Sequence, residues 1–244
     1  MNSQAGGEFI SAGGAARWVK GLLLATLALS VVGIISGLLQ TELLSRAASG
    51  GISDADAAAN DSRQQLIGVL QVLVYIATAI AFLAWFHRVH KNLPALGGRD
   101  LKYTPGWAVG GFFVPFLNLV RPLQVMREVW HGSDPAGLER DTASSGPSVR
   151  NQLGTPSLVG WWWALFLISG FLGNMIMRMG FAENQTIDQL QAFSALLVFS
   201  DVLDVPATLV AVSLVGYITK SQEQRASHIR GVGHGSPDAT VATP

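Results

Sequence analysis

Leu66–Phe86, LIGVLQVLVYIATAIAFLAWF, is a run of twenty-one residues without a charged side chain, and the basic stretch HRVHK follows it at once. As a helix it rises about 30 Å, the thickness of a bilayer's hydrocarbon core, whereas apolar runs of roughly 10–14 residues suit the core of a soluble protein. Working outward, three more stretches meet the same length: Val19–Leu39 before it, and Leu158–Met177 and Leu190–Tyr217 after it. The last is interrupted by Asp201, Asp204 and Pro206. The reading is an all-α membrane protein of four transmembrane helices arranged as two hairpins.

Composition agrees. Of 244 residues 49% are hydrophobic and 13% charged, with a mean hydropathy of +0.36; soluble chains carry roughly a quarter charged residues. Zero net charge leaves no global field to draw nucleic acid or an acidic substrate. With no cysteine, disulfides, thiolate metal sites and thiol nucleophiles are excluded. The first apolar run resembles a signal peptide only superficially. The nineteen residues Gly21–Leu39 exceed an h-region of about 7–15 residues, so an uncleaved first helix is expected, although Ser45-Arg46-Ala47 loosely imitates a cleavage site.

Polar loops at 40–65, 87–157 and 178–189 join the spans. The domain plan is a cytoplasmic N-terminal tail at 1–17, a membrane domain at 18–217 and a disordered cytoplasmic tail at 218–244. Segment 132–156, rich in Gly, Ser, Pro and charge, reads as disordered too. Residues 105–131 are ambiguous. Trp107–Val120 is too short to cross, Pro115 interrupts it and Arg121-Pro122 closes it. Beyond Pro122, Leu123, Met126, Val129 and Trp130 share one helical face, the pattern of an interfacial amphipathic helix. The expectation is a cytoplasmic re-entrant or interfacial segment in which Pro115 and Asn118 form a shallow turn, with the Asn118 side chain bonded to backbone groups that Pro115 frees.

Charge placement orients the chain. With four spans and the N-terminus inside, thirteen of the sixteen Lys and Arg lie on cytoplasmic segments, against Arg46, Arg63 and Arg178 outside. A fifth span at 105–122 would even the flanking count to seven and seven, so the positive-inside rule favours four. All seven Trp fall at the same side: Trp18, Trp85 and Trp161–Trp163 at span ends, Trp107 and Trp130 in the ambiguous segment. That is where indole rings favour a headgroup region. The localisation implied is a multi-pass bacterial inner or plasma membrane protein with both termini cytoplasmic.

The stretches WFHRVHKNLPALGG and YTPGWAVGGFFVPFLNLVRPLQVMREVW carry a further signal. Trp85, Arg88, Asn92 and Leu93 close the second span. Pro105-x-Trp107 follows, then Pro115-x-x-Asn118-Leu119-x-x-Pro122 and Trp130. A Trp-rich start to the third span and Ile218-Thr219-x-x-Gln222 after the fourth complete the pattern. Together these resemble a bacterial integral membrane family catalogued as domain of unknown function 4328, over most of 18–225. The resemblance implies a multi-helix membrane domain and no activity, so no functional residue is carried over.

Candidate sites are few. His87 and His90 share a helix end, but only His131 or distant acids offer a third ligand, and Arg88 and Lys91 repel a cation. A basic interfacial collar is the better reading, and neither a catalytic, a cofactor nor a metal site is assigned. Arg88, Lys91, Arg99 and Lys102, with Arg121 and Arg127, suit anionic lipid headgroups or simple topology determination. Gly33-x-x-x-Gly37 and Ser169-x-x-x-Gly173 permit close helix packing, within the chain or between copies. Asp201 and Asp204 stand inside a span, where charge is costly and marks a pathway or a pairing. Counting helical rise from Trp161 and Tyr217 sets Arg178 level with Asp201 and Asn174 level with Asp204. An Arg178–Asp201 ion pair and an Asn174–Asp204 hydrogen bond are therefore expected. Without a nucleophile–base set, phosphate loop or metal cluster, the chain reads as no enzyme. A non-catalytic scaffold or regulatory interaction component comes first; a small transporter or ion or proton channel using Asp201 and Asp204 is the alternative.

Overall fold

The computed structural model describes residues 8–98, 101–136, 156–181 and 186–234. Four long helices dominate: α1 (Gly13–Ala48), α2 (Asp54–Lys91), α5 (Ser157–Gly180) and α6 (Ile187–His234). Between α2 and α5 lie two short ones, α3 (Pro105–Gly110) and α4 (Arg121–Ser133), each preceded by a single 3-10 turn, at Pro94–Leu96 and Leu117–Leu119 respectively. All four long helices are long and apolar enough to cross a membrane, so this is a multi-pass membrane protein.

Local chemistry sets the helix ends. The α1 helix stops in a Schellman motif: Gly50, at φ +77°, donates to Ala47 O at 3.0 Å and Gly51 to Arg46 O at 3.0 Å. The α2 helix begins with acids Asp54 and Asp56 and ends with Arg88, His90 and Lys91, complementing its macrodipole at both ends. Thr104 caps α3, accepting from Trp107 N, with Pro105 at the first helical position.

Two expectations are corrected at this level. Residues 218–234 are not a disordered tail: α6 continues through them, with Ile218, Ser221, Gln222, Arg225 and Ala226 buried. Residues 235–244, 137–155 and 1–7 lie outside the described residues. The second correction concerns α4, which is amphipathic but packs its apolar face into protein rather than lipid. Val125, Met126 and Val129 are fully buried, because neighbouring protein supplies the apolar surface that the pattern alone would assign to a bilayer.

The chain divides into two compact units. One, the polar-core unit, comprises Met1–Ala16, Leu83–Pro156 and Val215–Pro244; the other, the span unit, comprises Arg17–Phe82 and Ser157–Leu214. The polar-core unit is built around Trp85, Phe86, Val89, Leu93 and Leu96 from the end of α2 and the turn after it, with Met126 of α4 and Ile218 of α6. In the span unit, buried positions recur at intervals of three, four and seven along α1, through Val19, Leu23, Ser30, Gly33, Gly37 and Leu44. Its middle is small and polar where its ends are apolar.

Candidate functional site

Two sets of buried polar side chains compete for a functional role. The first lies in the polar-core unit and contains residues of the motif pattern. Trp85 Nε1 donates to Thr219 Oγ1 at 3.0 Å. Gln222 Nε2 donates to Val89 O at 2.8 Å and Ser133 Oγ at 3.1 Å, while its Oε1 accepts from Asn92 Nδ2 at 3.1 Å. Asn92 also pairs with the backbone of Ile10, donating to its carbonyl at 2.9 Å and accepting from its N–H at 3.2 Å. Arg225 is buried, donating from Nε to Leu96 O at 2.7 Å and from Nη1 to Asp134 O at 2.6 Å. Gly97, at φ +81°, closes the 3-10 turn, and a side chain there would be strained by the backbone conformation alone. His90 Nε2 meets Glu128 Oε2 at 3.1 Å, and Glu128 Oε1 accepts from Lys102 N at 2.7 Å. His90 thus has a structural partner, and among the described residues no group of three or more His, Asp or Glu could hold a metal.

Six of these ten bonds end on backbone groups, five of them outside the α-helices. They satisfy loops that no regular element serves, which is a structural task.

The second set lies in the span unit, between α1, α2 and α6. At one level Arg63 Nε donates to Ser36 Oγ at 3.0 Å and its Nη2 to Asn60 Oδ1 at 2.6 Å. Ser36 Oγ and Gln64 Oε1 are 3.2 Å apart, and Thr41 and Ser194 hydroxyls 3.4 Å apart. Below, Gln71 Nε2 donates to Asp201 Oδ1 at 2.8 Å. Asp201 lies so close to Gly33 that a Cβ on that glycine would overlap its carboxylate, and one on Gly37 would overlap Val198. Further along, Thr26 and Thr78 hydroxyls stand 3.5 Å apart. Ser30 and Thr208 are buried, and Ser30 and Asp204 occupy the intervening turns. From Gln64 to Thr78 the seam rises about 21 Å, most of a hydrocarbon core of about 30 Å.

The expected intramembrane cluster is therefore half replaced. Asp201 pairs with Gln71, and among the described residues no Arg178–Asp201 ion pair forms. Asn174 and Arg178 are exposed on α5. Rise along a helix sets height, but rotation about its axis decides what a side chain meets, and α5 turns these two outward. Gly33-x-x-x-Gly37 serves contact within the chain, whereas a Cβ on Gly173 would meet open space.

The motif segment is broken rather than one straight helix. Pro105 opens α3; Trp107 and Leu119 are exposed; Pro122 is buried in the first turn of α4; Trp130 stacks on Tyr217 with centroids 4.1 Å apart. Pro115 and Asn118 do lie in the turn, but it is the Asn118 backbone N–H that donates, to Val114 O at 3.0 Å. The Trp set also divides. Trp18, Trp107 and Trp161 are exposed, whereas Trp85, Trp162 and Trp163 are core. Of the basic patch, Arg99 lies outside the described residues.

Gln71 and Arg225 were not singled out by sequence reasoning. Gln71 had a signal: Gln64, Gln71 and Thr78 recur every seven residues, one face of α2. Arg225 had none, since its acceptors are carbonyls far away in the chain.

A family model described as Domain of unknown function (DUF4328) matches residues 48–220. No curated protein and no solved structure matches the chain.

Proposed function

The chain belongs to the family described as Domain of unknown function (DUF4328), and on that premise we propose that it passes protons across the bilayer along the seam between α1, α2 and α6. The observation that carries this reading is the Gln71–Asp201 bond in the middle of a polar seam that continues in both directions. An ionisable acid at the centre of a span costs about 2.5–3.5 kcal/mol on insertion scales, while an interhelical hydrogen bond returns about 0.6 kcal/mol on average. Helix adhesion alone would be better served by Asn or Ser. The carboxylate is what a proton pathway needs, because it can take up and release a proton in place.

In this reading Asp201 accepts a proton relayed from the Thr41, Ser194 and Ser36 level and passes it by way of Asp204 and Ser30 towards Thr26 and Thr78. Each cycle takes one proton up and releases one, leaving the chain unchanged. Gln71 holds the carboxylate between α1 and α2. Arg63 puts a fixed positive charge at one end of the seam, which opposes a metal cation by direct repulsion. A proton exchanged between neighbouring oxygens needs no passage for a hydrated ion.

The test is proton flux into liposomes carrying the purified chain and a trapped pH dye, driven by a potassium potential. The chain should raise flux above that of empty liposomes, Asp201→Asn should return it to background, and Asp201→Glu should keep part of it. Flux no greater than that of empty liposomes, or an Asp201→Asn variant as active as the parent, overturns the proposal. A folded but inactive parent would return the scaffold or regulatory reading to first place.

A further inference from the structure

Between α3 and α4, residues 111–120, GFFVPFLNLV, present an apolar cluster to the outside. Phe116 is 84% exposed, Phe113 70%, and Leu119 and Val120 about half, beside an exposed Trp107. Phe116 adopts φ +64° with ψ −38°, a sparsely populated positive-φ conformation that costs a bulky residue of order 1–3 kcal/mol. A water-facing loop would gain nothing from that strain. Phe112 alone of the three phenylalanines turns inward, edge-on to Phe86 at 5.9 Å.

The backbone of the same turn largely satisfies itself. Gly111, Phe112, Phe113, Leu117, Asn118, Leu119 and Val120 all donate to carbonyls between Trp107 and Leu117. Irregular backbone tolerates a non-aqueous environment only when its polar groups are met in this way. Cations flank the cluster: the Arg121 guanidinium lies 4.7 Å from the Tyr103 ring centroid and the Lys102 ammonium 5.7 Å from it. The segment also belongs to the connection between two membrane-spanning helices, α2 and α5, so both its ends are tied to one face of a bilayer.

We infer that residues 107–120 form a wedge that inserts Phe113 and Phe116 into the acyl region of that leaflet, with Lys102 and Arg121 binding the phosphates of anionic lipid headgroups. The occupant is the lipid surface. Aromatic side chains over a basic rim match its layering, apolar inside and negative at the surface. The wedge holds the irregular segment without crossing the membrane, and α4, whose own apolar face is buried in protein, contributes none of the insertion.

The chain has no cysteine, so single cysteines report cleanly. Phe116→Cys and, as a polar control, Ser227→Cys are labelled with an environment-sensitive dye in the full chain, in liposomes containing anionic lipid. The dye at 116 should emit to the blue and be quenched by lipids carrying a nitroxide on the acyl chain, while aqueous iodide quenches only the dye at 227. Lys102→Gln with Arg121→Gln should weaken the acyl-chain quenching and abolish its dependence on the anionic fraction. Iodide quenching at 116 would overturn the inference in favour of a solvated loop. A blue-shifted dye untouched by nitroxide lipid would overturn it in favour of a protein partner. Val114→Cys provides a second reporter, so that loss of the Phe116 side chain does not decide the result.

Discussion

The polar-core unit and the span unit both bury hydrogen-bonding side chains, but those side chains answer different needs. In the polar-core unit Arg225 and Asn92 reach carbonyls and an N–H of the Ile10, Leu96 and Asp134 segments, backbone that has no ladder of its own, and Gln222 reaches the Val89 carbonyl in the last turn of α2. In the span unit the helices satisfy their own backbone, and Gln71, Asp201, Ser36 and Arg63 bond chiefly to one another. A buried polar group required by backbone is structural. One that backbone does not require has to be explained otherwise, and an ionisable one in the middle of a membrane is the place to test for function.

The largest expected effect follows from that contrast. Arg225→Met leaves the Leu96 and Asp134 carbonyls short of donors inside a packed core, with a cost of about 3–5 kcal/mol, the range for breaking a buried charged network. Thermal unfolding in detergent should show most of the chain's stability gone. Asp201→Leu, which removes a carboxylate no backbone group uses, should leave the melting temperature unchanged or raised. If Asp201→Leu proves the more damaging of the two, the division between the units fails and the seam is glue.

A smaller effect tests how tightly the seam is built. Gly33→Ala brings a methyl group against Asp201 and to about the position where Gln71 Nε2 lies within 2.8 Å. Overpacking of this kind costs about 1–3 kcal/mol. Asp201→Ala in the same chain clears the space, so the double variant should recover stability that the single one loses. Without recovery, α1 does not pack on Asp201 as described.

The same contrast explains what was legible beforehand. Four spans follow from length and charge because a bilayer imposes both on any chain, and the break at Pro115 follows from proline's missing donor. Asp201 was visible as an acid inside a span. Its partner was not, because equal height on an antiparallel hairpin pointed to Arg178, while the azimuth of α6 turns Asp201 towards Gln71. The motif positions Trp85, Asn92, Thr219 and Gln222 meet in one core, yet nothing local says so: Asn92 and Gln222 are 130 residues apart. Arg225 in the run Lys220–Arg225 reads as solvated, and only tertiary contacts bury it.

The smallest expected effect lies at a helix start, the start of α2, where the span unit too uses side chains to serve backbone. Ser53 and Asp56 form a reciprocal cap. Asp56 N donates to Ser53 Oγ at 3.2 Å, while Ser53 Oγ and N donate to Asp56 Oδ2 at 2.8 and 3.4 Å. Both precede the uncharged run that begins at Leu66. The Ser53 hydroxyl first, and its backbone N–H second, hold the Asp56 carboxyl below its ordinary 3.8. A depressed value means that the folded end favours the ionised acid, so its contribution is present above that ordinary value and fades as pH falls through the depressed one. Because Asp56 is fully exposed, the loss should be local fraying rather than unfolding. Amide exchange in residues 54–58 should quicken, relative to the intrinsic rate, as pH is lowered from 5 to about 3, the range set by an acid below 3.8. In Ser53→Ala that relative exchange should already be fast at pH 5 and depend much less on acid. Protection unaffected by either change would mean that the first turn of α2 is held by packing, as in the polar-core unit, and that the contrast between the two units does not extend to their helix ends.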